Sequence, residues 1–248
     1  IKIGLLELGH RENTDSITAI QQILDYAIES DNLGFSRFWL GEHHSPNITL
    51  PYTNPEILLT IIAGNTEKIR IGSAGTLIKM YKPYSIVSSF KLLNNLFSNR
   101  IDLGLSKGNP DTIYSRSLIQ DKSNNLFNIN IKKIHNLLYK EDYNFQKYEI
   151  VIPPFKGDIP ELWYLSNSYK NFDDAIKLKL NFCRSIFHGV GLINNNYNKD
   201  ELIKFKSDFL NYNGYNPIIS LAVAININDK NKSTKKASFN TKESINYI

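Results

Sequence analysis

The sequence predicts an α/β fold of the TIM-type (β/α) barrel class, and three observations carry that expectation. Strand-like and helix-like stretches alternate from the first residues, the pattern of parallel strands joined by crossover helices. The strands are apolar on both faces, as expected where helices cover one side and a closed interior fills the other. Small, polar and charged residues collect where these strands end, which is where a barrel gathers its working groups.

Lys2 to Leu6 is a short apolar run. Asn13, Thr14 and Asp15 then offer capping side chains to a helix through Ile17, Ile20, Leu24, Ala27 and Ile28 that stops at Gly34. Phe35 to Leu40 is the second strand. Asn54 and Pro55 open the next helix, through Ile57, Leu58, Ile61 and Ile62 to Gly64 and Asn65. Ile69 to Thr76 is the third strand, Pro83 starts a helix through Ile86, Val87, Phe90, Leu93 and Leu96, and Ile101 to Leu105 is the fourth strand.

The beat loosens over about 106–160, a long variable insertion with one helix candidate, about Ile129 to Tyr139. Such connections are usually functional or mobile. Leu162 to Leu165 restores the rhythm as a fifth strand. A helix over Phe172 to Leu178, a strand over Phe182 to Ile186, a helix from about Asp200 to Leu210 and a seventh strand over Ile218 to Ile227 follow. Residues 1–248 read as a single domain.

With 248 residues, 42% hydrophobic and 12% aromatic, the chain can bury a sizeable core. No apolar run approaches the roughly 20 residues that span a bilayer, and no signal-peptide pattern opens the chain, so a cytoplasmic protein without a membrane partner is expected. The lone Cys183 excludes an intrachain disulfide or a multi-cysteine metal site and reads as a buried, inert thiol. The net charge of +5 is scattered. Its one dense cluster, Lys230 to Lys236, reads as a solvated loop, so nucleic acid is not an expected partner.

The second strand ends in Gly41-Glu42-His43-His44, the third in Gly72-Ser73-Ala74-Gly75-Thr76, the fourth in Gly104-Leu105-Ser106-Lys107-Gly108 and the fifth in Ser166-Asn167-Ser168. Adjacent residues on an extended chain point in opposite directions, and His10, His135 and His188 come without a ligand motif, so no metal site is expected at His43 and His44. The pair fits either a hydrogen-bonded structural role or general acid–base work, since imidazole donates, accepts and changes charge near neutral pH. Lys107-Gly108 and Ser166-Asn167-Ser168 offer a cation and small hydroxyls to a phosphate, although strand-loop serines can equally be plain helix caps.

Taken together, Phe38-Trp39-Leu40-Gly41-Glu42-His43-His44, Lys68-Ile69-Arg70-Ile71-Gly72-Ser73-Ala74-Gly75 and Asn99-Arg100-Ile101-Asp102-Leu103-Gly104-Leu105 resemble successive signatures of the bacterial luciferase-like flavin monooxygenases. Glu161-Leu162-Trp163-Tyr164-Leu165-Ser166-Asn167-Ser168 resembles the phosphate-side strand of a subgroup without light emission. The resemblance covers about residues 1–225. It implies FMN held across the C-terminal mouth of the barrel, with His43 as an active-site histidine; the catalytic residues expected are His43, Glu42, which would orient that histidine, and His44. It also implies a cis peptide at Ala74-Gly75 under the flavin ring. Lys107 and Arg116 fall on basic phosphate-binding positions, and Ser166, Asn167 and Ser168 on the loop that caps the phosphate.

Ser106 stands where the light-emitting relatives carry a cysteine, so light emission is not expected. Lys107 replaces a planar arginine fork with a point charge. Relatives continue through another helix and an eighth strand, so the barrel reads as shortened or incomplete at its C-terminus. The function implied is an FMN-dependent monooxygenase. It would receive reduced FMN from a separate flavin reductase, use O2 on a small or peptide-derived organic substrate, and form a homodimer. The alternatives are a flavin- or deazaflavin-dependent reductase of an activated double bond in a modified peptide, and a flavin-binding protein without turnover. The Glu-His pair leans toward FMN, because deazaflavin-using relatives tend to carry Asp-His.

Overall fold

The computed structural model describes residues 1–44, 48–108, 117, 125–169, 172–186 and 199–224. They fall into two compact units, one over Ile1–Tyr164 and one from Leu165 onward.

In the first unit, β1 (Gly4–Glu7), β2 (Arg37–Leu40), β3 (Arg70–Leu77), β4 (Ile101–Ser106) and the first residues of β5 (Glu161–Ser166) are parallel neighbours in chain order. Helices α1 (Ser16–Asn32), α2 (Glu56–Gly64) and α3 (Pro83–Leu96) make the crossovers, and α4 (Leu126–Tyr139) and α5 (Glu141–Tyr148) lie between β4 and β5. Sequential parallel strands with one crossover after another are the progression of a (β/α) barrel.

The helices form where the apolar spacing places them. Asp15 caps α1 by accepting the N–H groups of Ile17 and Thr18, both at 3.0 Å, and Ala19, Ile23 and Ala27 fill the buried stripe. Asn54 accepts the Glu56 N–H at 2.8 Å ahead of α2, while Pro83 sits in the first turn of α3. Arg100 pins the α2–β3 connection by donating to the carbonyls of Ala63, Thr66 and Ile69.

The expectation of strands apolar on both faces fails at their N-terminal ends. Arg37 opens β2, Arg70 opens β3 and Glu161 opens β5, and all three converge with Asp102 of β4. Asp102 Oδ2 accepts from Arg37 Nε at 2.9 Å, and Oδ1 accepts from Arg70 Nη2 at 2.5 Å. Its carboxylate is 1% exposed, a burial sustained by two guanidinium partners. Above it, Trp39 and Trp163 meet edge to face at 5.4 Å. Gly72 has to lack a side chain: a Cβ there would lie 2.7 Å from the Asp102 carbonyl oxygen and from the Trp39 ring.

In the second unit, β6 (Asn181–Ser185) and β7 (Ile219–Ala222) are parallel, with α6 (Phe172–Lys177) and α7 (Lys199–Asn213) packed against each other. Phe172, Phe182 and Phe205 form its aromatic core, with ring centroids 4.8 to 5.2 Å apart. Cys183 on β6 is half-buried, and burial pushes its thiol up to about 11, so it stays protonated at neutral pH.

Two expectations need correction. The 106–160 stretch holds a second helix, α5, which buries only Asn144 and therefore shows no apolar stripe in the sequence. The seventh strand stops at Ala222, with Val223 and Ala224 outside it, and residues 225–227 lie outside the described set. Lys230 to Lys236, Arg116 and His188 also lie outside the described residues.

Candidate active site

The C-terminal ends of β2 and β3 bring a polar cluster together in the first unit. Glu42 follows β2 by two residues, and its side chain is fully buried. A buried carboxylate needs donors, and this one has three. Tyr81 Oη donates to Oε1 at 2.5 Å, His44 Nε2 lies 2.7 Å from the same oxygen, and the backbone N–H of Leu77, the last residue of β3, donates to Oε2 at 3.0 Å. Because a carboxylate oxygen faces it, His44 Nε2 is the protonated ring nitrogen. Asn54 extends the cluster by donating from Nδ2 to Tyr81 Oη at 3.4 Å. Burial, followed by the charge of Glu42, holds the Tyr81 phenol above its ordinary pKa, so it remains a donor.

The histidine that Glu42 holds is His44, not His43. Adjacent side chains on an extended segment diverge, and one carboxylate cannot orient both rings. His43 is half-buried and its ring makes no hydrogen bond among the described residues. It packs where Gly41 leaves room: a Cβ on Gly41 would lie 3.0 Å from His43 Nε2 and 3.1 Å from Leu8. Burial lowers the pKa of His43, Glu42 opposes the shift and His44 adds to it, so the neutral imidazole is favoured.

On β3, the peptide between Ala74 and Gly75 is cis. The β3–β4 register is irregular there, shifting between Ser73 and Thr76, and Thr76 Oγ1 donates to Ser73 Oγ at 2.9 Å. Ser106 ends β4 in register with Leu77, so the fourth strand ends beside the residue that Glu42 binds. Lys107 follows and is exposed, and Gly108 takes a positive φ of 46° against Leu77. In the second unit, Ser166, Asn167 and Ser168 form a tight turn. The Ser168 N–H donates to Ser166 Oγ at 3.1 Å, and the two hydroxyl oxygens lie 3.4 Å apart. Among the described residues, no three His, Cys, Asp or Glu side chains gather as a metal site would require.

Sequence reasoning missed Tyr81. It lies in the connection between β3 and α3, outside any motif, and the one available signal was the demand of Glu42: a carboxylate at the end of a buried strand must find donors on a neighbouring loop.

Parallel strands in barrel order with a polar cluster at their C-terminal ends define a (β/α)-barrel protein of the kind that works at that mouth. The chain belongs to the luciferase-like monooxygenase family, whose model matches residues 2–182. It is 35% identical over 153 residues to the YceB protein of Bacillus subtilis, covering 60% of this chain and 46% of that one. It is 27% identical over 180 residues to the N-acetyl-S-alkylcysteine monooxygenase of Bacillus subtilis, covering 71% and 54%. The crystal structure of apo-MsnO8 superposes with a TM-score of 0.77 over 90% of this chain and 66% of that one, at 26% identity. The chain spans about half the length of the curated relatives it matches.

Proposed function

We propose that this chain forms one barrel domain of an FMN-dependent monooxygenase that takes reduced FMN from a separate flavin reductase and oxidises a small or peptide-derived organic substrate with O2. The observation that carries the reading is the division of labour after β2: Glu42 and His44 are locked into a buried network, while the neighbouring His43 ring keeps its hydrogen-bonding capacity. A half-buried, neutral imidazole at the mouth of a luciferase-like barrel suits proton transfer at a reacting centre.

The residues present fit a phosphorylated flavin. Ser166 and Ser168 bring two hydroxyls within 3.4 Å of each other, and Lys107 contributes an exposed cation at a strand end beside a glycine. In the proposal the Ser166-Asn167-Ser168 turn takes the phosphate, while Lys107 and Arg116 match the family's basic phosphate-binding positions and Ala74, Gly75 and Ser106 its other cofactor-binding positions. Reduced FMN, when bound, supplies the two electrons that activate oxygen. His43 donates or accepts the accompanying proton at a ring nitrogen. Glu42, through the Leu77 N–H and Tyr81 Oη, fixes the end of β3 and the loop that follows it.

The proposed assembly is a cytoplasmic homodimer. Ile57 and Ile61 of α2, and Leu92 and Leu96 of α3, are exposed in i, i+4 pairs, which supports a second copy as partner. Among the described residues, no helix is long and apolar enough to cross a membrane.

Anaerobic titration of the full chain with oxidised and reduced FMN tests the cofactor reading. Saturable binding of reduced FMN, tighter than that of the oxidised form, is the expected result. Binding of neither form overturns the flavin assignment, and preferential binding of a deazaflavin moves the chain to the reductase alternative.

A further inference from the structure

Strands β3 and β4 stop together: Leu77 pairs with Ser106, each the last residue of its strand. The chain beyond Leu77 stays buried, with Ile78 fully enclosed, so backbone groups that have run out of strand need partners from elsewhere. Side chains provide them. The Leu77 N–H donates to Glu42 Oε2 at 3.0 Å, and the Ile78 carbonyl accepts from Asn130 Nδ2 at 2.8 Å. The Met80 N–H closes the turn on the Leu77 carbonyl at 2.8 Å, and Tyr81 Oη returns to Glu42 Oε1.

Asn130 lies on α4, in the long connection between β4 and β5, and is 4% exposed. The other buried residues of that helix, Leu126, Phe127, Ile131, Ile134 and Leu138, are all apolar, so Asn130 is the one polar member of the stripe. An asparagine there carries costs in helix propensity and desolvation that a leucine would avoid. What leucine lacks is the amide. The Asn130 side chain supplies to Ile78 the kind of N–H that a longer β4 would have supplied. One turn earlier on the same stripe, Phe127 meets Tyr164 of β5 edge to face at 5.8 Å, which gives α4 a footing from which Asn130 reaches the end of β3.

We propose that Asn130 is a positioning residue: together Asn130, from α4, and Glu42, from the end of β2, clamp the Leu77–Tyr81 turn and so fix the end of β3 against which the flavin ring would lie. The positioning role rests on the flavin reading above, while the clamp itself rests on the two buried hydrogen bonds. Asn130 acts through the Ile78 backbone, and it ties the long connection after β4 to the mouth of the barrel.

The test uses the full chain as wild type, Asn130→Leu, Asn130→Asp and Ile134→Val. Backbone amide exchange of the apo proteins is followed by mass spectrometry, and visible circular dichroism is recorded at saturating FMN. Leucine suits the stripe but has no donor, and aspartate keeps the shape of asparagine without its N–H. Ile134→Val removes a buried carbon from the same stripe without altering a hydrogen bond. The expected result is exchange about tenfold faster over residues 77–81 in both Asn130 variants, the range of one buried hydrogen bond, with the strands of the first unit unchanged. Their bound FMN should show an altered dichroism band, whereas Ile134→Val should lower the Tm and leave both readouts at wild-type values. Unchanged exchange over 77–81 overturns the clamp. Faster exchange with an unaltered flavin band overturns the positioning role, as does an Ile134→Val protein that changes as much as the Asn130 variants, since packing of α4 would then be the cause. If the wild type binds no FMN, the flavin reading fails, and exchange that quickens only over 77–81 in the Asn130 variants still establishes the clamp.

Discussion

Tyr81 Oη and Glu42 Oε1 lie 2.5 Å apart, joining the loop before α3 to the end of β2 through a fully buried carboxylate. The same carboxylate takes the Leu77 N–H and faces His44, so it ties two strand ends and one loop together. Removing one donor leaves the carboxylate under-solvated, at a cost of about 1–3 kcal/mol. Tyr81→Phe should lower the unfolding free energy by that amount in urea titrations, with Asn54 losing its partner as well. A change below a few tenths of a kcal/mol would mean that solvent replaces the phenol.

His43 gives a prediction with a defined sign. Its folded pKa is lowered, chiefly by burial, so the unfolded chain takes up this proton more readily than the folded one. The stability it contributes is fully present above its unfolded value near 6.5 and is lost as pH falls through the folded value. Unfolding free energy should therefore decline from pH 7 toward pH 5, with a component that His43→Gln removes. A pH profile identical in wild type and variant would show that His43 is solvated in the folded protein.

At the opposite end of the strands, Asp102 answers Arg37 and Arg70. Asp102→Asn removes the negative charge between two half-buried guanidinium groups, and breaking such a buried pair costs about 3–5 kcal/mol. Thermal or urea unfolding should show that loss, while FMN affinity of the folded fraction should stay near the wild-type value. A large drop in FMN affinity without a drop in stability would contradict the assignment of this network to the fold.

The sequence was most informative where periodicity and caps agree. Asp15, Asn54 and Pro83 mark the starts of α1, α2 and α3, and the apolar runs mark the strands that follow. Helix α5 was illegible because Asn144 is its only buried side chain, so it has no stripe to detect. The Arg37–Asp102–Arg70 cluster was hidden for a different reason: each residue looks like an ordinary strand-end charge until the register sets the strands side by side. At the candidate site, Glu42, His43 and His44 were legible as residues at a strand end, but the choice of which histidine the carboxylate holds is a matter of side-chain direction. Tyr81 had no motif at all, and it stands out only when the donors to the buried Glu42 carboxylate are counted.

The measurement that tests the central claim most directly is rapid mixing of the full-length protein carrying reduced FMN with oxygenated buffer, recording flavin absorbance for wild type and His43→Gln. The expected result is that wild-type protein reoxidises its flavin with a time course distinct from that of free reduced FMN, and that His43→Gln alters this course while still binding the flavin. Reoxidation indistinguishable from free FMN in both proteins would contradict it.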